Sequence, residues 1–161
     1  MAPIRFDQHP NALLVHHLYD ALARRDGDAM AACYTPDAAF SDPVFPDLHG
    51  AEVGAMWRML TARGGSITVE VREVVASATD GTATWEARYL FGATGRKVRN
   101  VGNAVFTFRD GRIATHVDTW SFSAWAAQAL GLRGRLLGKT AFLRRKVRRQ
   151  ARRGLEKLLP G

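Results

Sequence analysis

Cysteine is all but missing. Cys33 is the only one in 161 residues, which excludes an internal disulfide and a cysteine-based zinc site and makes a reduced, cytoplasmic setting the default expectation. No apolar run approaches the roughly 20 residues that a bilayer-spanning helix needs. The opening stretch from Met1 to Asp7 has no apolar centre and no cleavage site, so it does not read as a secretory signal. The histidines show neither HxxxH nor HxH spacing, so no metal site is expected. Internal repeats and low-complexity segments are absent too.

Acidic residues are scarce in one place only. Residues 132–161 carry eleven Lys and Arg side chains against a single acid, Glu156. The preceding 131 residues hold 12 basic and 14 acidic side chains. The formal net charge of +8 therefore belongs to the tail and says nothing about the rest of the chain. With 47% hydrophobic and 24% charged residues, the rest reads as one globular domain over 1–131, followed by a basic helical extension over 132–161.

The local patterns give an order of elements. Asn11 is a candidate N-cap for a helix through Arg25, with Leu14, Leu18 and Leu22 at spacing four. Asp26-Gly27-Asp28 breaks it and precedes a short helix over residues 29–34, and Thr35-Pro36-Asp37 turns the chain. A short strand over 38–42 ends at Pro43 and Pro46. A third helix is expected over 51–62, stopped by Gly64-Gly65. The period then changes to two: Ile67, Val69 and Val71 alternate with polar residues, and strands over 82–91, 97–109 and 112–120 follow, with Asp110-Gly111 as a hairpin turn. Ser121 caps a helix ending at Gly131. In the tail, Leu136, Leu143, Val147, Ala151, Leu155 and Leu158 form an apolar stripe among the cations, broken near Gly138. Helices followed by successive antiparallel strands predict an α+β fold with helices on one face of a curved sheet.

Several short motifs occur in a telling order: Tyr19-Asp20-Ala21-Leu22, Asp26-Gly27-Asp28, Tyr34-Thr35-Pro36-Asp37-Ala38, Ser41-Asp42-Pro43, Gly95-Arg96-Lys97-Val98, Phe106 to Ile113, and His116-Val117-Asp118. Over about residues 10–130 this run resembles the nuclear transport factor 2-like superfamily, which includes ketosteroid isomerases and SnoaL-like polyketide cyclases. The resemblance implies a cone-shaped, curved antiparallel sheet closed by N-terminal helices around an apolar pocket. Leu14, Leu18, Trp57, Tyr89, Phe106, Phe108 and Trp120 would form its wall, with Asn100 as a polar contact; a filled core of the same residues is the plainer expectation. His49 would lie near the rim, and His16 and His17 on the solvated side of the first helix.

The resemblance also suggests catalytic candidates. Asp42 stands where ketosteroid isomerases carry their base, and a carboxylate in an apolar pocket has its charged form disfavoured; as a plainer role, it would cap the turn at Pro43. Asp118 aligns with the aspartate of SnoaL-like cyclases on the last strand, with His116 and Trp120 on the same sheet face. A buried Asp–His pair that only stabilises the sheet is the alternative. The isomerases' oxyanion donors would fall at Leu18 and Ala104, which cannot donate, and Tyr19 lies about 100° round the helix from Leu18. Classical 3-ketosteroid isomerisation is therefore disfavoured.

The expectation is a protein that binds a small hydrophobic carbonyl compound and acts on it by proton transfer, with no cofactor and no metal. Asp118 would be the acid–base group, assisted by His116, with Asp42 second. The alternative is a non-catalytic binding or interaction module. The resemblance implies a homodimer. The tail offers a docked stripe or a peripheral contact with an anionic membrane surface, and little that favours nucleic acid.

Overall fold

The computed structural model describes residues 7–63 and 65–160. Residues 1–6, in the stretch judged not to be a signal, and Gly64, half of the expected helix stop, lie outside the described residues.

Helix α1 spans Pro10–Ala23. Its N-cap is His9, whose Nδ1 accepts from the Asn11 amide at 3.0 Å. Asn11 is thus inside the helix rather than its cap. Buried there, it donates from Nδ2 to the carbonyls of Ser77 (2.9 Å) and Ala78 (3.3 Å), fastening α1 to a strand turn. The helix stops before Arg25, which adopts the left-handed φ of 57°. Helix α2 is Gly27–Ala31, capped by Asp26. Strand β1 is Tyr34–Ser41, so Tyr34 begins a strand instead of ending a helix, and Thr35-Pro36-Asp37 runs within it. A two-residue strand β2, Leu48–His49, was not expected from the sequence. Helix α3, Ala51–Ala62, matches its apolar spacing.

The remaining strands are β3 (Ile67–Ala76), β4 (Asp80–Leu90), β5 (Lys97–Arg109) and β6 (Arg112–Thr119). Asp110 and Gly111 both have positive φ (53° and 74°), the conformation that a two-residue hairpin needs. The sheet order is β2-β1-β6-β5-β4-β3. It is mixed rather than wholly antiparallel, because β1 runs parallel to β6. That pairing joins residues far apart in the chain, so no local pattern announces it. Irregularities between Arg72 and Val75 and between Thr107 and Phe108 curl the sheet.

Strand β5 shows the two faces plainly. Val98, Asn100, Gly102, Ala104, Phe106 and Phe108 are buried, while Val101, Asn103 and Val105 are exposed. The chain then enters α4 (Phe122–Leu130), capped by Ser121, and α5 (Leu132–Leu137). Helix α6, Ala141–Glu156, begins at Thr140, whose hydroxyl accepts from Leu143 N. Gly134 lies so close to Ala126 O that α5 could not pack on α4 with any side chain there.

The main core gathers α1, α3 and the inner sheet face. A second cluster joins Val98, Phe122, Trp125, Ala126, Ala129 and Leu143. Val44, Tyr89 and Trp120 pack against both, on the seam between them. The tail's apolar stripe docks only in part: Leu143 and Leu155 are buried, whereas Leu136 and Leu158 are exposed. Among the described residues no helix is long and apolar enough to cross a membrane.

Candidate functional site

The inner face of β6 carries the chemistry. Its two-residue period sets His116 and Asp118 side by side, with His116 Nε2 2.8 Å from Asp118 Oδ1. The imidazole's other nitrogen, Nδ1, is 2.8 Å from the Tyr34 hydroxyl. That hydroxyl accepts from Trp57 Nε1 on α3 at 3.0 Å, and Asp118 Oδ1 accepts from Trp85 Nε1 on β4 at 3.1 Å. An indole N–H can only donate. The arrangement that satisfies every member has the Tyr34 hydroxyl donating to His116 Nδ1 and Nε2–H donating to Asp118. Four elements thus feed one buried chain that ends on a carboxylate.

His116 is fully buried, ringed by Phe106 (centroids 4.5 Å apart), Phe40 (4.9 Å), Tyr34 (6.1 Å) and Trp57 (6.4 Å). Asp118 keeps 8% exposure against none for His116, so of the two it is the one nearer the surface. Asp42 stands beside it. β1 pairs Phe40 with His116 and Ser41 with Val117, and Asp42 follows directly after the strand's end, near enough for the Asp118 charge to act on it.

Burial pushes the Asp42 carboxyl up to about 6, against the pull of hydrogen bonds from Phe45 N (2.6 Å) and Val44 N (2.7 Å); the Asp118 charge adds to the rise. Both backbone bonds go to Oδ1, so Asp42 does form the turn cap, while Oδ2 has no protein partner among the described residues. Burial, helped by the Asp118 charge, also raises the Tyr19 and Tyr34 phenols well above their ordinary value.

The other residues singled out from the sequence fall as follows. Leu18, Trp57, Phe106 and Phe108 are buried in the main core, and Leu14, Tyr89 and Trp120 are half-buried at its border. Tyr89 accepts from Trp125 Nε1 at 2.9 Å. Asn100 is on the buried face of β5, and Ala104 pairs directly with Asp118. His16 and His17 are exposed; His49 is exposed and lies 2.5 Å from Asp47. Tyr19 is the remaining residue. Despite its angle from Leu18 on α1, it is buried, and its hydroxyl has no hydrogen-bond partner.

Sequence reasoning missed Tyr34, Trp85 and the Trp57 N–H. Tyr34 stands at the end of the helix that the sequence pattern predicts, whereas the fold makes it the first residue of β1. Trp85 could be identified only from strand register, because it lies opposite Gly102. Two hollows open at the surface: about 680 Å³ between the loop at Val44–Leu48 and α6, and about 430 Å³ beside Arg96 and Gln128. Among the described residues no three His, Cys, Asp or Glu side chains gather as a metal-ligand set.

Gly102 makes room for this arrangement. A Cβ there would lie 2.6 Å from Trp85 Cε2 and 3.0 Å from Thr119 O. Gly102→Ala should displace the indole, break its bond to Asp118 and cost about 1–3 kcal/mol. Urea denaturation, with the near-ultraviolet circular dichroism of the folded state, would check this. An unchanged midpoint and an unchanged aromatic spectrum would show that the indole has room to spare.

Residues 15–116 match the SnoaL-like domain family. No curated protein matches the chain. Among solved structures, a protein described as a polyketide cyclase from Xanthomonas campestris pv. campestris is 25% identical, with 76% of this chain and 98% of that one covered and a TM-score of 0.62. An LEH-like epoxide hydrolase from M. tuberculosis is 19% identical over 83% of this chain and 95% of its own, at a TM-score of 0.62. A protein described as a SnoaL-like polyketide cyclase from Jannaschia sp. CCS1 is 15% identical over 81% and 96%, at 0.66. The latter two likenesses speak to the fold alone.

Proposed function

The chain belongs to the SnoaL-like domain family, and on that premise we propose that it binds a small hydrophobic carbonyl compound at the inner end of the cone and moves a proton on it. The observation that carries this reading is the buried chain from Trp57 through Tyr34 and His116, which ends on Asp118 beside a second carboxylate, Asp42. Asp118 would take a proton from the carbon next to the carbonyl. The C–H electron pair moves into the new C=C bond, and the carbonyl π pair moves onto oxygen. His116 holds Asp118 in place and stabilises its charge through Nε2–H. Asp42, with its carboxyl near 6, can donate to the developing enolate oxygen. The proton on Asp118 returns to the same carbon or to another. Leu14, Tyr89, Trp120 and Asn100 would contact the ligand, which enters at the seam near Val44.

The test is deuterium wash-in. Hydrophobic ketones of graded size are incubated with the protein in heavy water, and exchange beside the carbonyl is followed by mass spectrometry. Exchange above the blank is expected for at least one of them. The competing reading is a non-catalytic binding module, favoured by the full burial of His116 and by Asp42's service as a turn cap. It would stand if no ketone exchanges while some still raise the melting temperature.

The homodimer implied by the resemblance would use the outer sheet face. Val101, Val105 and Val117 are 41%, 52% and 45% exposed there, and Val105 pairs with Val117 across β5 and β6. Covering such valines is worth about 25 cal/mol per Å² of apolar surface. Sedimentation equilibrium should find a dimer, weakened at least tenfold in Val105→Lys. A monomer at all concentrations would refute this.

A further inference from the structure

The cations of α6 divide into those the fold uses and those it leaves over. Leu143, Val147, Ala151 and Leu155, four apart, form the face turned to the domain. Arg144, Arg148 and Arg152 edge that face, and each has a partner. The Arg144 guanidinium lies 5.4 Å from the Phe122 ring centroid, Arg148 Nε donates to Pro43 O at 2.9 Å, and Arg152 pairs with Glu52 (2.5 Å) and Glu156 (3.2 Å). Away from that face, spacings of three and four align Phe142 with Arg145, Lys146, Arg149 and Arg153, of which Arg145 and Arg149 also edge the hollow between α6 and the Val44–Leu48 loop. All five are exposed, and none of the four cations has an ion pair or hydrogen bond among the described residues.

Exposed apolar side chains lie close to them in the chain. Phe142 is 61% exposed, and Leu132 and Leu136, on one side of α5, are each 72% exposed. We infer that this outward face of α6, with the leucines of α5, is a docking surface for an anionic lipid bilayer. Such a bilayer satisfies both halves of the observation: its headgroups attract Lys and Arg, and its acyl boundary takes up Leu and Phe. A second copy of the same face would bring like charges together, and nucleic acid would use the cations but leave the leucines uncovered. The contact is peripheral, since no helix among the described residues can cross. At about 24 Å, α6 is long enough to lie along the surface.

Vesicle flotation tests this with the full chain. Phosphatidylcholine vesicles containing phosphatidylglycerol should carry the protein up, pure phosphatidylcholine should not, and binding should fall as salt rises. Arg149→Gln and Arg153→Gln should each weaken partitioning roughly fivefold. Phe142→Ser combined with Leu136→Ser should weaken it further at unchanged melting temperature. The inference is overturned if anionic vesicles do not carry the protein, if neutral vesicles carry it equally, or if the serine pair binds vesicles as tightly as the parent. It is also overturned if a DNA duplex binds more tightly than anionic vesicles at the same salt.

Discussion

Asp118→Asn should slow proton exchange on any ketone the parent protein processes by about 10²- to 10⁴-fold, the range typical of a lost general base. The substitution isolates the charge. Asparagine keeps an oxygen where Oδ1 accepts from Trp85 Nε1 at 3.1 Å and His116 Nε2 at 2.8 Å, so the indole and imidazole have no reason to move. Two charge-assisted bonds become neutral ones, a loss of about 1 kcal/mol each at most. The folded protein should therefore survive with its aromatic circular dichroism intact. A second readout separates catalysis from mere support. Burial is the main reason that Asp42 is raised to about 6, but the Asp118 charge contributes, so the Asp42 midpoint should drop in the variant when followed by carboxyl NMR. A lower Asp42 midpoint with undiminished exchange would show that the two carboxylates are neighbours and that Asp118 is not the base.

The parts of this site differ in how far they could be seen in the sequence. His116 and Asp118 sharing a face follows from strand period alone, as does the burial of Phe106 and Phe108. Helix α3 and the Asp110-Gly111 hairpin were local signals that the fold keeps. The partners that give His116 and Asp118 their setting were not legible, because each arrives through a long-range contact. Tyr34 meets His116 across 82 residues, through a parallel pairing of β1 with β6 that no turn motif encodes. Trp85 reaches Asp118 only because Gly102 leaves space on the neighbouring strand. The helical wheel separates Tyr19 from Leu18 by about 100°, yet α1 buries an arc wide enough to take both. In the tail, periodicity alone cannot say which members of an apolar stripe find a surface: Leu143 and Leu155 are buried, and Leu136 is not.

Asp42→Asn should raise stability at neutral pH by about 1–3 kcal/mol, or several degrees in melting temperature, and flatten the pH dependence between about 4 and 6. The sign follows from the direction of the shift. In the unfolded chain an aspartate titrates near 3.9; in the fold, burial carries Asp42 to about 6 despite two backbone donors on Oδ1. Between those values the native state holds a proton that the unfolded state has lost, so stability falls as pH rises through the interval and stays lower above it. Asparagine still accepts from Val44 N and Phe45 N, keeps the turn, and carries no charge to desolvate. Other carboxylates act in the opposite sense: the Arg109 hydrogen bond lowers Asp37, and hydrogen bonds from Arg99 and Arg88 outweigh burial to lower Glu86. The difference between variant and parent at each pH, rather than either curve alone, is therefore the quantity to measure by urea denaturation. A stabilised variant that has lost exchange would mean that the half-buried acid is kept at a cost in stability because the chemistry needs its proton. A stabilised variant with full exchange would reduce Asp42 to a turn cap, and a destabilised one with an unchanged pH slope would refute the burial argument itself.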